Sequence, residues 1–400
     1  MILRKVFIRL IVVATVLWLL PAMSFSQTDD DGLATDIKVS LLSVAPGYTI
    51  YTAHGHCALR LQCPSAGLDL SFTYGLDDTA ANRLAFFTGE ARGEYAVAHS
   101  RDYLQDYIDE GRQVVEYELN LSLQQKRRLW ELLDNELARG AYRRYNYLTT
   151  NCASMCASAV NSALQDDTKL VYDSISPILN GTYRHFVHHI SKDRPWVDFF
   201  WNTLLGAEGD EVGQKGLKYS PSLLVETWQH ASVMDTIGSR RPLLLEKNGH
   251  VLIAGDDGSG TSWLTPTVCF AIVLLLVVVL TAVEQRGRLR RLAAGVDALL
   301  LLTQTVIALA LCYTTFCSSL EGTSGNWYVV VFNPLPLLLW LWLRRWKGYR
   351  RLVFCYFLLL IVFILLTPFV SQIDTAHSLV VAILAVRCLR NAKGLKAANG

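Results

Sequence analysis

Two short runs of this sequence carry residue types that do covalent chemistry. The first is His54-Gly55-His56-Cys57-Ala58-Leu59-Arg60-Leu61. On a strand, residues two apart share a face, so His56, Ala58 and Arg60 point one way and Cys57, Leu59 and Leu61 the other. His54 joins the His56 face if the strand starts early enough. Gly55 allows close backbone approach beside the imidazole. The second run is Tyr145-Asn146-Tyr147-Leu148-Thr149-Thr150-Asn151-Cys152-Ala153-Ser154-Met155-Cys156. Asn151 is a good helix N-cap, which puts Cys152 in the first turn. A thiol there meets unpaired amides and the positive end of the helix dipole, and its pKa falls toward the thiolate. With His56 beside it, the two form a nucleophile–base pair. The Cys152 N–H, helped by the side chain of Asn146 or Asn151, supplies an oxyanion hole.

Plainer readings of the same residues stand beside this one. A cysteine at a helix start is ordinarily a small buried residue, and a strand histidine a satisfied structural one. His54 and His56 with Cys152 and Cys156 also make a His2Cys2 set suited to zinc. A Cys152–Cys156 bridge is disfavoured, because positions i and i+4 on a helix suit the bond geometry poorly. Cys57 and Cys63 lie about 20 Å apart on a strand at ~3.3 Å per residue, so both are expected to be structural.

The surrounding pattern is α+β. Alternation predicts strands over 37–44, 55–61, 68–74 and 112–120. Ser100 opens a helix to Glu110, Ser122-x-x-Gln125 is a capping box for a helix ending near Gly140, and another helix spans about 152–164. The region 181–247 reads as mostly helical and linker-like. Within it, Pro195-Trp196-Val197-Asp198-Phe199 is suited to packing at a membrane surface. Residues 255–262 form a flexible joint.

Hydrophobicity is distributed unevenly over the 400 residues, which are 52% hydrophobic and 18% charged. Arg4, Lys5 and Arg9, the apolar run Leu10–Leu20, Pro21 and the small residues to Ser26 predict a signal peptide over 1–26. Five apolar stretches follow Pro266, at 266–283, 295–313, 328–343, 352–370 and 376–389. Arg and Lys crowd the loops after the first, third and fifth, whereas the loops at 318–326 and 371–376 have none. The basic loops are then cytoplasmic and the domain before Pro266 is exported. Asn333-Pro334-Leu335-Pro336 breaks the third stretch, which calls for a structural kink or a substrate-facing cavity. Glu321 and Asn326 give the outer mouth a polar lining. Asp297 is the main charge inside the spans. The other five cysteines lie in or beside apolar helices. A net charge of +2 without a basic stripe excludes an evident nucleic-acid binder.

The run Gly55-His56-x-Ala58-Leu59-Arg60, then Thr73-Tyr74-Gly75, then Tyr145 to Asn151-Cys152, resembles the Lnb-type lipoprotein N-acyltransferases. Pro195-Trp196 with Asp198-Phe199, Leu204-Leu205-Gly206, Asn326 and Asn333-Pro334-Leu335 extend the resemblance from about residue 36 onward. Thr150 and Asn146 stand where that family often has acidic residues, and His54 where it usually has an aromatic one. The resemblance implies a circularly permuted papain-like (NlpC/P60-like) exported domain, in which the histidine strand precedes the cysteine helix. An all-α bundle of about five transmembrane helices follows. The implied division is a signal peptide at 1–26, a periplasmic catalytic domain at 27–180, a helical extension and linker at 181–262 and a polytopic membrane domain at 263–400. The implied enzyme is a cysteine-dependent acyltransferase of the inner membrane, with its C-terminus cytoplasmic. It moves a fatty acyl chain from a membrane phospholipid to the N-terminal cysteine amine of a diacylated lipoprotein, and no cofactor or metal is called for. Cys152 carries over as nucleophile and His56 as general base. Asn151, Asn146 and Tyr74 are auxiliary candidates, and Asp69 or Tyr74 would orient His56. The alternatives are a periplasmic cysteine hydrolase acting on cell-wall peptides, a non-catalytic membrane protein with a zinc-stapled domain, and a transporter suggested by the broken third helix.

Overall fold

An antiparallel sheet is built from Lys38–Val44 (β1), His56–Cys63 (β2), Leu68–Leu76 (β3), Arg92–His99 (β4), Val114–Glu118 (β5) and Arg143–Arg144 (β6). Between these strands run the helices Ala80–Thr88 (α1), Ser100–Asp109 (α2) and Leu123–Arg139 (α3), and after β6 comes Cys152–Ala163 (α4). The computed structural model describes residues 36–394, apart from 77–78, 141, 165–167, 173–180, 212–219, 261, 285–287, 344–345 and 347. The expected signal peptide lies outside the described residues.

The next elements are Thr168–Tyr172 (β7), Tyr183–Ser191 (α5), Pro195–Leu204 (α6), Pro221–Gln229 (α7), Ala231–Asp235 (β8), Arg240–Pro242 (β9) and His250–Ile253 (β10). The region expected to be mostly helical therefore also contains strands. β7, β8 and β9 form a second sheet in that order, and β10 returns to the first, which runs β10-β5-β1-β2-β3-β4-β6. A short strand such as Arg240–Pro242 gives no alternation long enough to read.

α4 lies on the sheet. Its Cys152, Ala153, Cys156, Ala157, Val160 and Ala163 share one core with Cys57, Leu59 and Leu61 of β2. Small side chains on that helix face let it approach the strands closely. Gly55 is required just before β2. It takes φ 84°, and a Cβ there would meet the Val44 carbonyl oxygen at 2.5 Å.

After Thr265 the chain becomes helical: Pro266–Val283 (α8), Arg288–Phe316 (α9), Tyr328–Val331 (α10), Leu335–Leu343 (α11), Tyr349–Leu366 (α12) and Thr375–Gly394 (α13). Among the described residues three helical segments, 266–283, 289–316 and 349–369, are long and apolar enough to cross a membrane. The prolines split the third expected span into α10 and α11. The carbonyls freed there are held by protein groups. Asn333 Nδ2 donates to Val330 O (2.7 Å), while Gln304 Nε2 and the Tyr356 hydroxyl donate to Val331 O (3.2 and 2.7 Å). That is a satisfied kink. Asp297 is paired with Arg387 of α13 (2.6 Å), which also reaches Glu284 (2.8 Å).

The two parts meet along the loop 318–326. Asn326 Nδ2 donates to Thr203 O and Leu204 O at the end of α6, and its Oδ1 accepts from Tyr328 N and Gln372 Nε2. The Thr149 hydroxyl donates to Glu321 (2.9 Å), so this loop reaches the segment just before Cys152. The 195–199 segment packs against the apolar helices. The Trp196 ring lies 6.0 Å from Phe270 of α8, and Phe199 stacks on His377 of α13 at 4.3 Å.

Candidate active site

The nucleophile candidate is fixed by its cap. Asn151 Oδ1 accepts from Ser154 N (3.0 Å) while Ser154 Oγ accepts from Asn151 N (2.8 Å), a reciprocal capping box. Cys152 is the first residue of α4, so its N–H has no acceptor within the helix. It is 6% exposed.

Cys152 and His56 are brought together. The Cys152 thiol lies beside the Cys57 thiol and His56. The Cys57 thiol and the nearby His56, acting through its charge and hydrogen bond, hold the Cys152 thiol well below its usual range, against the opposing effect of burial. Burial pushes the neighbouring Cys57 thiol well up, and its contacts with Cys152 and Cys156 add to this. Only Cys152 has both an imidazole and a helix N-terminus against it, so it is the member of the pair that ionises. Cys57 Sγ also lies 3.8 Å from Cys156 Sγ, and all nine cysteines are free thiols.

His56 stands at the end of β2, across from β3. Its Nε2 is 2.6 Å from Thr73 Oγ1. The Thr73 hydroxyl donates to the Cys57 carbonyl oxygen (3.4 Å), so it accepts from Nε2–H, and the proton assignment follows from this network. Nδ1 is left as the basic nitrogen for the thiol. Gly75 lies next to the ring, its ideal Cβ position 3.9 Å from His56 Cε1. The β2–β3 register pairs Ala58 with Thr73, which sets the threonine on the histidine's face.

The two residues expected to orient His56 lie elsewhere. Asp69 is engaged by Arg60 (Nε to Oδ1 2.8 Å, Nη2 to Oδ2 2.6 Å) and by Gln62. Tyr74 points to the opposite face, stacked on Tyr145 at 6.2 Å, and its hydroxyl has no hydrogen-bond partner among the described residues. Thr73 was part of a motif but carried no role in the sequence reading. Strand parity relative to His56 was the available signal, and using it required the hairpin register.

The oxyanion candidates separate. Asn151 Nδ2 donates to Tyr147 O (2.8 Å) and its Oδ1 accepts from Ser154 N at the helix start, so this side chain holds the loop. Asn146 Oδ1 accepts from Leu148 N and Thr149 N (2.8 and 3.1 Å), which folds the turn before Cys152. The Asn146 amide nitrogen and the Cys152 N–H remain as donors for a developing oxyanion.

The zinc arrangement loses its geometry. His54 turns away, with Nε2 3.0 Å from Ser191 Oγ and its ring against Tyr147 (5.1 Å) and Trp201 (5.8 Å). Among the described residues no group of three or more His, Cys, Asp or Glu side chains converges to hold a metal ion.

No curated protein and no solved structure matches this chain. Two family models do: the Lnb N-terminal periplasmic domain over residues 25–187 and the Lnb transmembrane domain over residues 258–397. They meet the chain in the order of its two parts, the sheet domain with Cys152 and His56 and the apolar helices. The chain belongs to the Lnb family, as a membrane protein whose N-terminal part is periplasmic.

Proposed function

We propose that this protein is a cysteine-dependent lipoprotein N-acyltransferase. The supporting observation is the Cys152 thiol at the start of α4, beside an imidazole whose far nitrogen is held by Thr73. In the first half-reaction the Cys152 thiolate attacks the ester carbonyl of a membrane phospholipid. The C–O bond to glycerol breaks, and protonated His56 gives its proton to the departing alkoxide. The enzyme then holds the acyl chain as a thioester. In the second, the neutral α-amine of a diacylglyceryl cysteine attacks that carbonyl and His56 takes its proton. The C–S bond breaks, which releases the amide and restores the thiolate. The Cys152 N–H and the Asn146 amide stabilise both tetrahedral oxyanions.

The membrane helices give this reading its economy. Donor and acceptor are both lipid-anchored, and extracting an acyl chain into water costs about 0.8 kcal/mol per CH₂. A hydrolase acting on soluble cell-wall peptides has no such need of a bundle. We read the sheet domain as a permuted papain-like fold, since the histidine strand precedes the cysteine helix. The protein sits in the inner membrane with its C-terminus cytoplasmic, in keeping with the arginines at 288–291, 350–351, 387 and 390.

Mass spectrometry of a lipoprotein's N-terminal peptide tests this in cells carrying the wild-type protein, Cys152→Ala or Cys156→Ala. The amide-linked acyl chain is expected to vanish in Cys152→Ala and to persist in Cys156→Ala. An amide-linked chain that survives Cys152→Ala would sink the proposal.

A further inference from the structure

A cavity of about 810 Å³ lies beside α4, on the side away from the sheet. Ser154, Ser158 and Asn161 line it, spaced four and three residues apart on one helix face. From Ser154 to Leu164, also in its wall, the helix rises about 15 Å. That length matches four or five residues of extended chain at ~3.3 Å each.

The opposite wall is β7. Thr168, Lys169 and Leu170 all line the cavity. Successive strand residues point to opposite faces, so three in a row place the cavity along the strand's edge. β7 is the outer strand of its sheet, paired on one side with β8. Among the described residues its other edge has no backbone partner. The third wall is α7. Thr227 there is 6% exposed, and its hydroxyl has no hydrogen-bond partner among the described residues. At one end stand Thr149, three residues before Cys152, and Glu321 of the membrane part's outer loop.

We propose that this cavity receives the polypeptide of the acceptor lipoprotein as an added strand on β7, with the residues after its modified cysteine leading away from Cys152. This rests on the acyl-transfer reading above. Backbone pairing suits a substrate whose sequence varies after the cysteine, because main-chain groups give affinity without reading side chains. The Ser158 hydroxyl and the Asn161 amide on α4 fit a peptide and disfavour an acyl chain. The end at Glu321 opens where a lipid-anchored N-terminus arrives.

The test uses the full-length protein in detergent with phospholipid donor. One synthetic acceptor is S-(diacylglyceryl)cysteine amide, and a second carries five further residues. The longer acceptor is expected to show a KM lower by about tenfold, the worth of one or two net backbone hydrogen bonds. N-methylation of single backbone amides in those five residues should erase the advantage at alternate positions only, since alternate amides face a given edge. Ser158→Trp, which fills the cavity, should raise the KM of the longer acceptor toward that of the shorter. Equal KM values for both acceptors with the wild-type protein overturn the docking and leave acyl transfer standing. A Ser158→Trp effect on the phospholipid KM instead assigns the cavity to the donor and also overturns it. Transfer to neither acceptor overturns acyl transfer and this inference together.

Discussion

Cys152, His56 and Thr73 form a line of three groups in which each decides the state of the next. Thr73 accepts from Nε2–H, which leaves Nδ1 basic toward the thiol. A neutral threonine stabilises the imidazolium less than a carboxylate would, and the Cys57 thiol makes the largest contribution to lowering the Cys152 pKa. Thr73→Val removes the acceptor and frees the ring to change tautomer. We expect kcat to fall about tenfold to a hundredfold, part of the 10²–10⁴ that general base catalysis supplies, with KM unchanged. Alkylation of Cys152 by iodoacetamide should persist well below the pH at which ordinary thiols stop reacting. In Thr73→Val and His56→Ala its midpoint should move up, and Thr73→Ser should restore both readouts. A Thr73→Val profile identical to wild type would remove the threonine from the site. His56 and Cys152 were each legible in the sequence as candidates, because a Gly-His strand and a capped helix start are local signals. Thr73 and the Cys57 contact were not, because each depends on how β2 meets β3 or α4, which residue types do not disclose.

Elements with their own punctuation were legible too: α3 and α4 with their capping boxes, β2 with clean alternation, and the proline break before α11. The strands β8 to β10 were not, because they are three to five residues long and take their pairing from distant partners. The motif Leu204-Leu205-Gly206 gains a physical reason from the joint. Gly206 N donates to Gly322 O (2.8 Å), and a Cβ on Gly206 would stand 1.8 Å from the Ser324 carbonyl oxygen. Backbone on both sides has to move to admit even alanine. Gly206→Ala is therefore expected to cost about 1–3 kcal/mol, the usual range for overpacking. The loss should appear as a lower thermal midpoint of the detergent-solubilised protein. Because the same loop holds Glu321 against Thr149, acyl transfer should fall in this variant at temperatures where it remains folded. An unchanged midpoint would show that the loop 318–326 is free to part from α6.

Across the whole molecule, one apolar core runs from the site loop into the membrane helices: Phe86, Tyr147 and Trp201 belong to the same cluster as Leu311, Tyr328 and Phe363. His54 is enclosed at its periplasmic end, 7% exposed between Tyr147 and Trp201. Burial, with a smaller contribution from the nearby Arg194 charge, lowers its pKa from 6.5 to about 3. The folded protein thus keeps His54 neutral at pH values where the unfolded chain takes up a proton. Stability from this group is complete above pH 6.5 and drains away as pH falls toward 3. The slope approaches about 1 kcal/mol per pH unit once the unfolded histidine is charged. Other histidines add slopes of their own, so the informative quantity is the difference between wild type and His54→Phe. Phenylalanine keeps an aromatic ring against Tyr147 and Trp201 but cannot bind a proton. It also leaves Ser191 Oγ without its 3.0 Å partner at Nε2, so the variant should begin at a lower thermal midpoint at pH 7.5. Between pH 7 and pH 5 its midpoint should then fall less steeply than that of wild type, and the two curves converge. Parallel curves would mean that His54 titrates alike in both states, and that this end of the shared core admits water.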